Sequence, residues 1–358
     1  PNWRAMSNNS VVCDDISKLP AEFWEGYNGN GEPYGLINLT ASRKMGRTFE
    51  VEYPDPDVQG FNPCAEQSLA NFETCCLAEI YLPNIEHYEE LKKVSRYLYR
   101  INKHSLAIKC AVKETEDIVH KNMRMGIGVT GYLQASEEQR SWLSDCYDYL
   151  RAYDKEYSEL AGYPASIKLT TVKPSGTLSL LAGVTPGAHP GYSEYYIRRI
   201  RMSADSSLAH AAREHGYPVE FVLNFDGTED KSTIVVSFPC KFPKGTMFAN
   251  DMTALDQLEV IKRLQAEWSD NAVSVTIYYR KEELDGIKEW LDKNFKNVKS
   301  VSFLLHNEHG FKQAPLEEID EGTYLEMRKT VTPITSIDQL GLDEVEIDDC
   351  EGGACPVR

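Results

Sequence analysis

Between Phe61 and Leu77 the chain reads FNPCAEQSLANFETCCL, and three groups able to do chemistry fall within five positions: the Asn62 amide, the Cys64 thiol and the Glu66 carboxylate. A further thiol, Cys75, follows eleven positions after Cys64, with Cys76 beside it. Pro63 fixes its own φ and pushes Asn62 towards extended geometry, which predicts a loop tip at Asn62-Pro63-Cys64 and not a helix interior. On such a tip, side chains two positions apart can converge on one ligand. Each residue alone has a plainer reading. A cysteine is most often a small buried hydrophobe, and Asn-Pro is a common turn opener.

Two other stretches carry chemistry. The carboxy-terminal CEGGACPVR contains a C-x4-C pair, Cys350 and Cys355. Its metal reading is half a zinc site, but no second Cys/His pair at ligand spacing is evident, and Gly352-Gly353 frees the loop to close a disulfide. From Thr332 to Glu351 there are seven acids and no Lys or Arg, which predicts an extended, poorly ordered tail. A coil of about 20 residues spans on the order of 25 Å and can carry a dithiol from solvent to a buried site. The second stretch is Lys173-Pro174-Ser175-Gly176-Thr177-Leu178-Ser179. A strand ending in Pro-Ser-Gly-Thr before an apolar helical run has the form of an anion site: glycine permits close backbone approach, hydroxyls donate, and a helix start presents free N–H groups. The alternative is an ordinary helix start capped by Ser175 or Thr177. Alone the two readings are even; beside Asn-Pro-Cys-x-Glu the phosphate reading prevails.

The elements that must position these groups alternate in period. Strands are expected at 35–39, 77–82, 125–133 and 167–172, two helices across 86–123 and one at 136–160. The run GVTPGAHPGYSEYYIRRIR at 183–201 reads as a Gly/Pro loop followed by a basic helix start. His189 in it reads as structural, and Arg198, Arg199 and Arg201 as a solvated or ion-paired face. Further on, helices are expected at 207–215, 253–268 and 282–295, and strands at 218–225, 233–238, 272–279 and 298–305. Tyr278-Tyr279 reads as two β-formers closing a strand. Strands alternating with helices of this length predict a parallel α/β arrangement.

Composition bounds the function. The 358 residues, 42% hydrophobic, can bury a large core as one large or two ordinary domains. With 38 basic against 55 acidic residues the net charge is −17, which excludes a general nucleic-acid surface but leaves room for a local phosphate pocket. No apolar window of membrane-spanning length occurs, and the first residues lack the form of a secretion signal. Nine irregularly spaced cysteines point to a reducing, cytoplasmic setting with thiols used for chemistry or packing. Pro1 is no initiator, so a processed or fragmentary chain is expected.

Taken together, SNNSV (7–11), NPCAE (62–66), RMGIGVTGYL (124–133), KPSGTLSLL (173–181), TPGAHPGY (185–192) and the CEGGACPVR tail resemble the catalytic chain of ribonucleotide reductases. The short Cys64–Cys75 spacing is most similar to the monomeric, adenosylcobalamin-dependent class II ribonucleoside-triphosphate reductases. The resemblance implies a ten-stranded α/β barrel of the ribonucleotide reductase/glycyl-radical type, of which this chain supplies the finger loop and the second half, the amino-terminal half being absent. It divides the chain into a connecting segment at 1–60, the second half of the catalytic barrel at 61–330 and a flexible tail with a redox dithiol at 331–358. It implies Cys64 as the thiyl-radical site, Glu66 as the base for the 3′-OH proton, Asn62 as a hydrogen-bonding anchor for the sugar, Cys75 as half of a reducing dithiol, and phosphate binding at Pro174 to Leu178. Cys75 is favoured over Cys76 by spacing, since neighbours on a strand face opposite ways. Cys350 and Cys355 would reduce the active-site disulfide and be recharged by a thioredoxin-like partner. Implied partners are a ribonucleoside triphosphate and a missing amino-terminal half in the same or another chain, with neither DNA nor membrane. Three alternatives stay open: a class I diphosphate reductase large subunit fed by a metal-bearing radical subunit, an incomplete half-enzyme subunit, and a non-catalytic zinc or thiol protein.

Overall fold

The computed structural model describes residues 9–28, 33–48, 53–224, 227–306 and 313–335. In chain order the elements are β1 (Ser10–Val12), β2 (Gly35–Ile37), α1 (Leu39–Ser42), β3 (Lys44–Met45), β4 (Tyr53–Pro54), β5 (Val58–Phe61), β6 (Ser68–Ala70), β7 (Leu77–Tyr81), α2 (Tyr88–Leu106), α3 (Lys113–Asn122), β8 (Gly126–Thr130), α4 (Glu137–Ala161), β9 (Thr170–Thr171) and α5 (Leu178–Ala182). They continue as β10 (Tyr195–Ser203), α6 (Ser207–Glu214), β11 (Val219–Leu223), β12 (Glu229–Lys241), α7 (Ala254–Glu267), β13 (Thr276–Tyr279), α8 (Leu284–Asn294), β14 (Ser300–Leu305), β15 (Leu316–Glu318) and α9 (Glu321–Thr330). The chain forms two compact units, one from residues up to 190 together with 251–306, the other from 191–250 and the described residues after 312.

The first unit has mixed α/β architecture. β7, β8 and β9 form a parallel sheet with Leu77 opposite Gly126 and Ile127 opposite Thr170. A second sheet runs β1-β2-β14-β13, with β1–β2 and β13–β14 parallel and β14–β2 antiparallel. A parallel bridge between Val172 and Val273 links the end of β9 to the segment leading into β13. β8 is buried along its whole length, as expected for a parallel strand covered on both faces. The helices bury one stripe each: α4 contributes Leu143, Tyr147 and Leu150, α7 Leu258, Ile261 and Leu264. Capping boxes start both, Ser136 with Gln139 and Thr253 with Asp256.

This core also holds buried charge. Arg124 pairs with Asp55 at 2.8 Å and with Glu73 at 3.0 Å, and Lys168 pairs with Asp55 at 2.8 Å, all nearly without solvent exposure. Asp270 accepts from the backbone N–H groups of Leu169 and Thr170 and from Arg151, which pins the short β9.

The second unit is an antiparallel sheet in the order β11-β12-β10-β15. A small core of Ala209, Ala212, Ile234 and Val236 sits between this sheet and α6. Here two expectations fail. The basic stretch after the Gly/Pro loop is strand β10, not a helix start, because it pairs on both edges with β12 and β15 and those hydrogen bonds outweigh a helical reading of its spacing. The parallel arrangement expected throughout holds only for the pairs β1–β2, β13–β14, β7–β8 and β8–β9 of the first unit. Of the three arginines expected on a solvated or ion-paired face, Arg199 pairs with Glu317 and the exposed Arg201 donates to the Gln313 carbonyl at 3.3 Å, whereas Arg198 is buried, because successive side chains on a strand alternate between faces.

Shorter differences are local. The strand expected at 35–39 stops at Ile37 because Asn38 caps α1, accepting from the Ala41 N–H. The strand expected at 167–172 shrinks to two residues. Among the described residues no helix is long and apolar enough to cross a membrane.

Candidate active site

The hairpin of β5 and β6 carries the loop 62–67, and Phe61 pairs with Ser68 at its base. Asn62 closes it from both sides: its N–H donates to the Gln67 carbonyl at 3.1 Å, its carbonyl accepts from the Ala65 N–H at 2.9 Å, and its Oδ1 accepts from the Gln67 N–H at 3.0 Å. Ala65 is forced to φ +59°, a left-handed conformation unusual for a residue with a Cβ. The strands behind the loop hold its backbone. Ser274 Oγ donates to the Cys64 carbonyl at 2.5 Å, Ser300 Oγ to that of Ala65 at 3.0 Å, and Thr171 Oγ1 and the Ala272 N–H to that of Glu66 at 2.6 and 3.0 Å. With three consecutive carbonyls anchored, the backbone that presents Cys64 and Glu66 is fixed.

Cys64 is half-buried. Glu66 is fully buried, yet neither of its carboxylate oxygens makes a hydrogen bond of ordinary geometry among the described residues. Burial pushes its pKa up, against the opposing pull of the Asn62 side chain and the Lys173 charge. Cys75 is exposed, and partial burial of its sulfur followed by the Glu66 charge raises its pKa, with Lys173 pulling the other way. Cys76 instead packs against the main core, its Sγ 3.9 Å from the Asn102 carbonyl, and burial lifts it to about 11. Cys75, not Cys76, is the thiol within electrostatic reach of Glu66.

The turn after β9 completes the cluster. Pro174 and Ser175 are buried and Thr177 and Leu178 exposed, with Ser175 at φ +52° and its buried hydroxyl making no hydrogen bond of ordinary geometry among the described residues. Gly187 lies against this turn: a Cβ there would strike the Lys173 carbonyl oxygen. The helix after the turn is shorter than its pattern suggested. α5 has five residues, Thr177 at its N-cap makes no side-chain cap bond, and Leu178, Leu180 and Leu181 are exposed. The apolar run is therefore a single turn facing outward and not a core helix, and the anion reading rests on the backbone turn and its hydroxyls.

One group here escaped sequence reasoning. Glu79 on β7 buries both carboxylate oxygens with no hydrogen bond of ordinary geometry among the described residues, and burial drives its pKa to about 8 despite the Ser175 hydroxyl and Lys173, with Glu66 adding to the rise. An acid inside an otherwise apolar strand, LAEIYL, was the available signal. His189 is structural, as expected: its Nε2 accepts from the Thr276 N–H at 3.0 Å, so Nδ1 carries the proton donated to the Pro186 carbonyl at 3.1 Å. Burial lowers it to about 4 and keeps it neutral. Tyr279 likewise belongs to the core, donating to the Tyr27 carbonyl at 2.8 Å. Cys350 and Cys355 lie outside the described residues.

No family model matches the chain. Curated relatives do. A probable adenosylcobalamin-dependent ribonucleoside-triphosphate reductase of Dictyostelium discoideum is 34% identical over 98% of this chain and 47% of the relative. An adenosylcobalamin-dependent ribonucleoside-triphosphate reductase of Lactobacillus acidophilus is 35% identical over 99% of this chain and 53% of the relative. Among solved structures, a B12-dependent class II ribonucleotide reductase superposes with a TM-score of 0.77 at 30% identity, over 91% of this chain and 50% of that one. The α subunit of the class Id ribonucleotide reductase of Actinobacillus ureae shares the fold, with a TM-score of 0.53 at 14% identity over 80% of this chain and 60% of that one. The chain spans about half the length of the curated relatives it matches. Sequence and fold thus agree that nearly the whole of this chain is homologous to about half of an adenosylcobalamin-dependent, class II ribonucleotide reductase.

Proposed function

We propose that this chain is the part of an adenosylcobalamin-dependent ribonucleoside-triphosphate reductase that carries the radical cysteine, and that the complete protein reduces ribonucleoside triphosphates to 2′-deoxyribonucleoside triphosphates. The observation that carries this reading is the loop 62–67, which presents a thiol and a fully buried carboxylate from one turn. Such a pair suits a reaction in which a hydrogen atom and a proton leave neighbouring atoms of one sugar. Hydroxide leaves C2′ poorly; a radical at C3′ makes its loss as water feasible.

In this reading Cys64, as a thiyl, takes the 3′ hydrogen and later returns it. Glu66 takes the 3′-OH proton, a role helped by a pKa that burial moves towards neutrality. Asn62 spends its Oδ1 on the Gln67 N–H and its amide nitrogen also acts on Glu66, so one N–H of that nitrogen remains for the sugar hydroxyls. Cys75 supplies one thiol of the dithiol whose two electrons reduce C2′, and its partner belongs to an amino-terminal half. The turn from Pro174 to Leu178 receives the phosphates. Cys350 and Cys355 reopen the resulting disulfide by exchange and are recharged by a thioredoxin-like reductant.

Adenosylcobalamin fits what the loop offers, a half-buried thiol on a rigidly held tip. When bound it supplies a carbon-centred radical that can take the Cys64 hydrogen; no residue of this chain is assigned to the corrin. The finer architecture belongs to the same proposal: a ten-stranded barrel whose second half is residues 61–330, entered through 1–60 and followed by the tail 331–358, in a cytoplasmic enzyme that uses neither DNA nor membrane.

The test uses the complete protein. With adenosylcobalamin and a ribonucleoside triphosphate, the visible spectrum should change as the cofactor is cleaved and deoxynucleotide should form. Cys64→Ser should lower kcat by at least about 10³-fold. Retained turnover in that variant, or a requirement for an added iron or manganese subunit, overturns the proposal.

A further inference from the structure

Glu79 has no task in the reaction as written. Its position is nevertheless built with care. Cys76, just before β7, and Ile80 on it pack into the core on one face, next to α2, and strand alternation turns Glu79 to the other. There its register partner on β8 is Gly128, where a Cβ would come within 2.5 Å of Glu79 Oε1. The carboxyl therefore occupies space that exists only because residue 128 lacks a side chain. The charged and polar groups acting on it are Ser175 and Lys173 from the turn after β9 and Glu66 from the loop. α5, the other element against β7, carries no titratable side chain. The carboxyl of Glu79 and the hydroxyl of Ser175 are both buried and both lack a hydrogen bond of ordinary geometry among the described residues, although each lies within the other's influence.

Resting on the nucleotide reading above, we propose that Glu79 is a positioning residue that works as a neutral carboxylic acid, donating its O–H to the Ser175 hydroxyl and so holding the 174–177 turn ready for the phosphates of a ribonucleoside triphosphate. Ser175 sits in a left-handed backbone conformation, which a residue with a Cβ keeps only when its surroundings hold it there. A carboxylic acid beneath it supplies a donor without charge and leaves the Ser175 hydrogen for the phosphate. A carboxylate in the same place would instead accept that hydrogen itself and would repel the incoming anion. The position of the acid thus makes phosphate binding sensitive to alkaline pH. Lys173 opposes ionic repulsion, and Glu66 adds to it.

Binding of ATP to the complete protein, measured by calorimetry from pH 6.5 to 9.5, tests this. In the parent, affinity should fall on the order of tenfold per pH unit once Glu79 ionises, the limit for release of one proton. Glu79→Gln, which keeps a donor but cannot ionise, should bind as the parent does at pH 7 and lose the alkaline fall. Glu79→Leu, which offers no donor, should bind about tenfold more weakly at pH 7, and Glu66→Gln should retain the alkaline fall. Infrared difference spectra supply a readout that needs no ligand: the parent should show a protonated-carboxyl band at pH 7 that Glu79→Gln lacks and Glu66→Gln keeps. An alkaline fall that persists in Glu79→Gln, or a missing band, overturns the role of Glu79 while leaving the nucleotide reading intact. The band without any ATP binding by the parent overturns both.

Discussion

Cys64 and Glu66 owe their setting to hydrogen bonds that neither side chain makes. Ser274, Ser300 and Thr171 hold the loop through its carbonyls, so substitutions at the two reactive positions should leave the backbone where it is. The adjacent thiols behave differently from each other. Cys75 is exposed and feels the Glu66 charge, whereas Cys76 is packed against the core. We therefore expect Cys75→Ser to abolish multiple turnover with a dithiol reductant at unchanged stability. Cys76→Ser should keep turnover and cost about 1–2 kcal/mol, since it puts a hydroxyl against an apolar core. Equal loss of turnover in both variants, with urea unfolding run alongside the assay, would contradict this division.

At the level of elements, the site depends on the ends of strands. β9 is two residues long, yet it delivers Thr171 to the Glu66 carbonyl and is followed directly by the Ser175 turn. The turn is backed by Gly187, which has φ +53°, donates its N–H to Thr130 Oγ1 at 2.7 Å and lies against the Lys173 carbonyl. Gly187→Ala forces a Cβ into backbone that cannot yield as a side-chain end would. It is expected to destabilise the protein by about 3 kcal/mol and to weaken triphosphate binding even where folding is complete. Chemical denaturation and calorimetry on the same preparation check both effects. The elements also show where pattern misled. The residues of β10 mix Tyr, Ile and Arg without a clean period, and two neighbouring strands decided the outcome.

Over the whole molecule, the first unit binds its pieces with charge as well as apolar packing. Asp55 from the chain before β5 meets Arg124 before β8 and Lys168 before β9. Burial alone would raise the Asp55 pKa, but Arg124 and Lys168 outweigh it and the net shift is downward. The stability this network contributes is therefore present above the ordinary carboxylate range and is lost as pH falls through the depressed value. Asp55→Ala leaves two buried cations short of a partner and should cost about 3–5 kcal/mol, read as a lower urea midpoint at pH 7. A change under about 1 kcal/mol would show that Glu73 and solvent compensate.

The amino-acid sequence by itself determined the turn that bears Cys64 and Glu66 and the starts of α4 and α7. Asn62, Pro63 and Cys64 dictate a loop through local backbone preference, and the caps at Ser136 and Thr253 are equally local. It also carried enough motif to point to the ribonucleotide reductases. What only the tertiary structure decided is which groups share an environment: that Cys75 feels the Glu66 charge while Cys76 packs against the core, that the arginines of β10 lie in an antiparallel sheet, and that Glu79 comes under the influence of Ser175 almost a hundred positions away along the chain. The physical reason is range. Dihedral preference and capping act over a few residues, whereas desolvation and charge coupling depend on neighbours that meet only when the sheets have formed.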